Sequence, residues 1–493
     1  MRLACVVLLG LASAANAQSG AAAGGSQAPE SGLQFESSDA RLKEAFDWAK
    51  AQALRYAHGG SSNGGVDPVG PWYEAALPGR DAFCMRDVAH QTTGAAALGL
   101  DAQNRNMLRR FAAAVAPGRD WAGYWEIDKQ GHASDADYVS DADFWYNLPA
   151  NFDVLDGIVR MWRWTGDESY LNDASMQRFF QATATDYVKA WQLEPDVILT
   201  RPRIMNRRLA DASKGKFVES RGIPSYSEGE VDFNLGTDLL AAEYRGFVSL
   251  ASIAKHNNDA GAAQRYAKTA NEILELVEHR AWSEKEQHFM GFFSQDGKTH
   301  GMGDAMVLYF GATHDPAHIR AALKRIESAE YLKEIGIEEE SYLAQIFYRY
   351  GETEAAYERI VDLTRADKER REYPEVSYSV IGALVTGMMG VDVVGEEIAS
   401  LARLRGRTER AKVSGLHIRG RVVDVEHVGD GRSVLTNHSD TALRWRAEFA
   451  GRAAALKVDG KMVRAESSFD EAHQPLSWVM VDVPAGKTVV VSR

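Results

Sequence analysis

Along residues 37–390, apolar positions recur at three- and four-residue spacings between short runs of Gly, Pro, Asn and Asp, the pattern of helices separated by loops. The spacing predicts twelve helices, over 37–57, 86–99, 102–116, 148–166, 172–192, 236–257, 261–283, 301–311, 315–328, 338–350, 352–366 and 376–389. Their character alternates. Odd-numbered ones, such as GAAQRYAKTANEILELVEHRAW (261–282) and ETEAAYERIVDLTRADKER (352–370), pair a charged face with an apolar one. Even-numbered ones, VAHQTTGAAALGL (88–100), GMGDAMVLYFGAT (301–313) and SYSVIGALVTGMMG (377–390) among them, are apolar nearly all round and rich in small residues, so they need burial on every side. Six buried helices alternating with six half-exposed ones predict a mainly α fold, an (α/α)6 barrel of six helical hairpins with an inner ring inside an outer one. An irregular bundle or a solenoid is the alternative, but no fixed repeat period is present.

After about residue 412 the period changes to two, in segments such as GLHIRGRVVDVEHV and SWVMVDVPAGKTVVVSR, and Asp459-Gly460 is a two-residue hairpin signal. This predicts a small antiparallel, sandwich-like accessory β-domain over 413–493, joined to the barrel (37–390) by a linker at 391–412. At the other end, Arg2, the apolar run Val6 to Leu11 and Ala15-Asn16-Ala17 have the three parts of a signal peptide over 1–17, and a Gly/Ala/Ser-rich leader follows over 18–36. The expected location is periplasmic or extracellular after cleavage near Ala17, without a membrane anchor. Lipid attachment is disfavoured because Cys5 precedes the apolar run rather than following it. Cleavage leaves Cys84 as the one cysteine of two, so a large core must replace disulfides. A formal net charge of −13 argues against a nucleic-acid partner, and no metal-ligand spacing or cofactor motif appears.

In a double ring the segments entering the inner helices converge on one end, and here those segments concentrate acids and aromatics. They offer Trp72, Tyr73, Arg86, Asp87, His90 and Gln91; then Asp143, Trp145, Tyr146 and Asn147; then Tyr226, Glu228 and Glu230; then His300; then Glu339 and Glu340; and finally Tyr373 and Glu375. Rings that stack on apolar sugar faces, beside carboxyls that protonate a leaving oxygen and activate water, are what a glycan site needs. Helix amino ends also attract acids by dipole and capping, so part of this enrichment has a structural cause.

The alternation of helices and the loop FCMRDVAHQ (83–91) resemble the six-hairpin glycosidase superfamily, which includes the glucoamylase-like α/α-barrel glycoside hydrolases. The resemblance implies that Arg86 and Asp87 grip hydroxyls of the sugar being cleaved. It further implies a general acid at Glu228 or Glu230 and a general base at Glu375, with Asp143 the next candidate, in an inverting, exo-acting reaction. The expected partner is an oligo- or polysaccharide. A locally basic stretch from Glu194 to Gly222, with Arg201, Arg207, Arg208 and Arg221, raises the option of an acidic glycan. Three rival readings remain at this level. One is a polysaccharide lyase that recruits Tyr146, Asn147 and His90; another is an unsaturated uronide hydrolase; the third is a glycan-binding protein without catalysis.

Overall fold

The computed structural model describes residues 29–59, 67–75, 77–201, 215–227 and 233–493. All twelve expected helices form. They are α1 (Ala40–Arg55), α2 (Met85–Ala97), α3 (Asp101–Ala114), α4 (Pro149–Thr165), α5 (Ala174–Ala182), α6 (Thr237–His256), α7 (Ala260–Leu276), α8 (Asp304–Phe310), α9 (Pro316–Glu327), α10 (Ile337–Arg349), α11 (Thr353–Leu363) and α12 (Pro374–Gly382). The even-numbered six pack in a closed order, α2 on α4, α4 on α6, α6 on α8, α8 on α10, α10 on α12 and α12 back on α2. Odd-numbered helices lie against this ring: α3 on α2 and α4, α7 on α6, α9 on α8, α11 on α10, and α1 on α12.

Small residues let the ring close. A Cβ at Gly94 of α2 would collide with the backbone carbonyl of Tyr378 in α12, one at Gly246 of α6 would sit 2.8 Å from the ring of Phe152 in α4, and Gly382 of α12 lies on Gly94 itself. Close backbone approach, rather than backbone freedom, is what these helical glycines provide. The two classes of helix also start differently. Four of the outer ones, α1, α5, α7 and α9, begin at an Asp whose carboxylate accepts backbone amides (Asp39, Asp173, Asp259 and Asp315). None of the six inner helices has a side-chain cap.

The carboxyl ends of the inner helices meet two β-sheets. Arg419 N donates to Trp164 O at 2.7 Å and Trp164 Nε1 to His417 O at 3.0 Å, below α4. Past α12, Arg403 Nη1 donates to Gly387 O (2.9 Å) and His427 Nε2 lies 3.0 Å from Met389 O. Arg349, at the end of α10, pairs with Glu471 at 2.7 Å. The larger sheet has seven strands, in the order Gln34–Ser37, Arg410–Ile418, Arg421–Val428, Arg432–Asn437, Thr488–Ser492, Ala455–Val458 and Lys461–Arg464. The smaller has five: Asp392–Val394, Glu397–Leu401, Leu443–Ala450, Pro475–Val483 and Glu466–Phe469.

Two expectations change here. Residues 34–36, assigned to a flexible leader, and Ser37, assigned to the first helix, pair antiparallel with 411–414, so Phe35 is buried in the core. The stretch 391–412 is no linker: it holds two strands of the smaller sheet, and its alternating buried Val393 and Ile398 are too short a run to announce them. Strands within 413–493 pair antiparallel as expected, but Glu397–Leu401, from the expected linker, joins the smaller sheet parallel to Leu443–Ala450. The Asp459-Gly460 hairpin does form, with positive φ at both residues (46° and 80°).

Among the described residues no helix is long and apolar enough to cross a membrane.

Candidate active site

The amino ends of the inner helices meet around Arg86, in the first turn of α2. Its Nε lies 2.7 Å from Oε1 and its Nη2 donates at 2.9 Å to Oε2 of Glu338, in the first turn of α10. The same guanidinium is 3.5 Å from Asp87 Oδ1 and donates from Nη1 to the Tyr226 carbonyl at 3.4 Å. Its Cζ lies 5.3 Å from the Tyr226 ring centroid and 5.7 Å from that of Trp125. Tyr342, one helical turn after Glu338, donates its hydroxyl to Glu338 Oε1 at 3.0 Å.

Two more carboxyls share this arginine's field. Asp87 is buried, and burial together with the nearby Glu338 lifts its carboxyl to about 8 against the pull of Arg86. Glu375, in the first turn of α12, is also buried; burial first, then Asp87 and Glu338, push it well above the usual carboxylate range. Its Oε2 has no hydrogen-bond partner. Burial thus favours the neutral form of both groups. They are brought together by the tight α2–α12 contact at Gly94 and Tyr378, lower on the same two helices.

Beneath this layer, Tyr226 organises the wall. Its hydroxyl donates to Asp153 Oδ2 at 2.9 Å, and its backbone amide donates to Asp238 Oδ2 at 2.5 Å. Burial raises Asp238 to about 6, opposed by the amides it accepts. His90 Nε2 is 2.5 Å from Asp153 Oδ2, and its ring lies 4.7 Å from that of Tyr309 and 4.5 Å from that of Tyr342. Gln91 is wholly buried, and neither end of its amide has a hydrogen-bond partner.

Of the residues singled out from sequence, the structure brings Arg86, Asp87, His90, Tyr226 and Glu375 into this cluster. Glu228 and Glu230 lie outside the described residues. Apart from the buried Gln91, the others are engaged elsewhere. Trp72 donates its indole N–H to Asp67 (2.6 Å) and stacks on His58, and Tyr73 donates to Asn104 (2.7 Å) and packs on Tyr378, so both are core rings rather than sugar platforms. Asp143 accepts the backbone amides of Lys216 (2.8 Å) and Phe217 (2.5 Å), which makes it a loop anchor. Trp145 is buried with its backbone amide on Asp137 O, Tyr146 bonds Asn151 from a fully buried site, and Asn147 donates to Ser225 O at 2.7 Å. Glu340 faces away from the ring and pairs with Lys368 (2.6 Å) and Arg359 (3.1 Å). Glu339 accepts from the Tyr331 hydroxyl, and burial raises its carboxyl. His300 lies in a small sheet against Phe292, and half-buried Tyr373 directly precedes α12 under the Arg370 guanidinium. Cys84 is a buried free thiol whose titration burial pushes well up, which suits packing rather than nucleophilic attack.

Glu338, Trp125, Tyr342, Asp153 and Asp238 belong to the cluster but were not singled out. Helical geometry offered a signal for one of them. In a helix beginning at Ile337, residues 338 and 340 are about 200° apart, so only one can face the ring. Tyr342, a turn after Glu338, marks the inward face.

Neither a protein-family model nor a curated protein sequence matches the chain. Solved structures do. An alpha-L-rhamnosidase from Dictyoglumus thermophilum superposes with a TM-score of 0.59 at 13% identity, covering 94% of this chain and 51% of its own. The native rhamnosidase from Aspergillus terreus gives 0.55 at 14% identity, covering 93% and 51%. A sialidase gives 0.55 at 12% identity, with 82% and 40% covered. The chain shares the fold of these glycosidases. It spans about half the length of the two rhamnosidases, and the likeness agrees with the six-hairpin resemblance read from the alternating helices.

Proposed function

We propose that the chain is a glycoside hydrolase, that its closed helical ring is the inner wall of an (α/α)6 barrel, and that bonds are cleaved at the mouth around Arg86. The observation that carries this reading is the pair of buried carboxyls, Asp87 and Glu375, whose burial favours their neutral forms, beside the Arg86–Glu338 ion pair. Hydrolysis of a glycosidic bond needs a proton donor that is still protonated near neutral pH, and burial beside like charges is how a protein makes one. Glu375, with an unpartnered oxygen, is the donor to the leaving oxygen. That reverses the base role implied by the resemblance, since a base must be ionised before it can activate water. The base then falls to Glu228 or Glu230. Arg86, held by Glu338, and Asp87 hold sugar hydroxyls, and the Trp125 and Tyr226 rings supply apolar faces.

The sheets meet the carboxyl ends of the ring, opposite the mouth, which favours cleavage from a chain end. Inversion follows the superfamily precedent and has its own readout, the anomer first released. Signal-peptide processing near Ala17 and export complete the proposal. A lyase reading loses two of its three candidates, because Tyr146 and Asn147 are buried in hydrogen bonds of their own.

The fold leaves the sugar open, since the structures it resembles include rhamnosidases and a sialidase. The test is a screen of oligosaccharides and aryl glycosides that records reducing ends and ultraviolet absorbance together. New reducing ends without a new chromophore are expected. A gain or loss of unsaturated-uronide absorbance, or binding without any product, would overturn the assignment.

A further inference from the structure

We propose that Asp153, in the second turn of α4, is a positioning residue that aligns both partners of the Arg86–Glu338 ion pair from beneath. The proposal rests on the mouth being the site of cleavage. Asp153 is fully buried, and its Oδ2 meets two ring side chains. The Tyr226 hydroxyl donates to this oxygen at 2.9 Å, and His90 Nε2 lies 2.5 Å from it. Each ring leads to a different partner of the pair. Tyr226 lies against the guanidinium, with Arg86 Cζ 5.3 Å from the ring centroid, and its carbonyl accepts from Arg86 Nη1 at 3.4 Å. The His90 ring stands at 85° to that of Tyr342, with centroids 4.5 Å apart, and the Tyr342 hydroxyl donates to Glu338 Oε1 at 3.0 Å. Arg86 and Glu338 then close the circuit, with Asp153 at its base and the ion pair at its top.

Packing alone gives no reason for a carboxyl group at this position. A buried carboxyl loses its hydration, and an apolar side chain of like volume fills such a place at lower cost. Asp156, three residues further along α4, has the usual compensation: it is buried too, but Arg160 and Arg245 each approach one of its oxygens at 2.9 Å. Asp153 has a phenol and an imidazole instead, and among the described residues its Oδ1 has no hydrogen-bond partner. What the group supplies is direction. It fixes where a phenol oxygen and an imidazole edge stand, and with them the tilt of two rings on which the ion pair rests. Groups that grip sugar hydroxyls must match their spacing, so a small tilt is felt strongly. His90, with 1% of its side chain exposed, then lies beneath the sugar and supports Tyr342 rather than touching the ligand.

The experiment uses the full chain, with melting curves run beside kinetics on whichever 4-nitrophenyl glycoside the parent cleaves fastest. Asp153→Ala and Tyr226→Phe should each lower kcat/KM by about 10- to 100-fold, chiefly through KM, because Arg86 and Glu338 grip the sugar before as well as during cleavage. The double variant should lose no more than Asp153→Ala alone, since both changes release the same ring. Asp156→Ala, which removes a structural carboxylate from the same helix, should melt earlier with KM unmoved. A KM unchanged in Asp153→Ala and Tyr226→Phe, losses that simply add in the double variant, or an equal rise of KM in Asp156→Ala would overturn the proposal. If Asp153→Ala does not fold, the KM of Tyr226→Phe, which keeps the ring, decides alone. A parent that cleaves no glycoside overturns the hydrolase reading instead. The variants are then compared by titration with the methyl glycosides of glucose, galactose, mannose and rhamnose: affinity lost by a like factor upholds the positioning role, and affinity unchanged, or no binding to the parent, refutes it.

Discussion

Arg86 and Glu338 stand 252 residues apart in sequence, yet they meet in a two-pronged contact of 2.7 and 2.9 Å between the first turns of α2 and α10. In the ring those helices are not adjacent: α12 lies between them on one side. The pair therefore spans the opening, and it fixes the charge balance that the neighbouring carboxyls feel.

Asp87 gives that balance a pH signature. Its carboxyl is raised to about 8 in the folded chain, above its value of 3.8 as a free side chain. The folded state thus binds more protons than the unfolded state between those values, so stability falls as pH rises from about 4 to about 8 and levels off above that. Asp87→Asn removes the contribution. We expect its melting temperature to exceed that of the parent by about 5 °C at pH 8, with the gap closing near pH 4. Thermal denaturation across pH checks this, and a gap of constant size would refute it.

Glu375→Gln should lower turnover by about 100- to 10,000-fold, the range for losing a general acid, while leaving binding of neutral sugars within a few-fold. An aryl glycoside with a good leaving group should recover much of the loss, because its departure needs little protonation. Without that recovery, Glu375 does not donate the proton.

Gly94→Ala should destabilise the chain by about 1–3 kcal/mol, as overpacking does, because the added methyl meets the Tyr378 carbonyl. Separating α2 from α12 also moves Asp87 from Glu375. Activity should fall further than the unfolded fraction explains, and denaturant melts run beside kinetics will show whether it does.

Glu340→Gln weakens pairing to Lys368 and Arg359 on the outer side, for about 1–2 kcal/mol of stability, and leaves kcat and sugar preference unchanged. A change in sugar preference would place Glu340 at the site after all.

The helices were legible in the sequence because each inner one is apolar on every face, as GMGDAMVLYFGAT shows, and a helix with one side in water does not carry that composition. The cluster was only partly legible. Arg86, Asp87 and Glu375 stand in first turns, where position along the chain suffices. Glu338 and Glu340 differ only in which way they face, and the aromatics at 72–73 and 145–146 have the same composition whether they hold a sugar or fill a core. Burial of Trp72 and Tyr146 decided those cases. Short strands such as Asp392–Val394 went unseen because three residues carry too little alternation.

The strand Gln34–Ser37 comes just before α1 and adds an edge to a sheet otherwise built from residues after 409. The twelve helices are thus enclosed between two pieces of one sheet. Truncating the chain at 409 would strip this strand of its partner, uncover Phe35 and leave the Trp164 indole without its acceptor at His417. The helices that carry the proposed site and the C-terminal sheets are therefore fastened to each other at both ends of the helical region, and we expect them to melt together rather than behave as a detachable module.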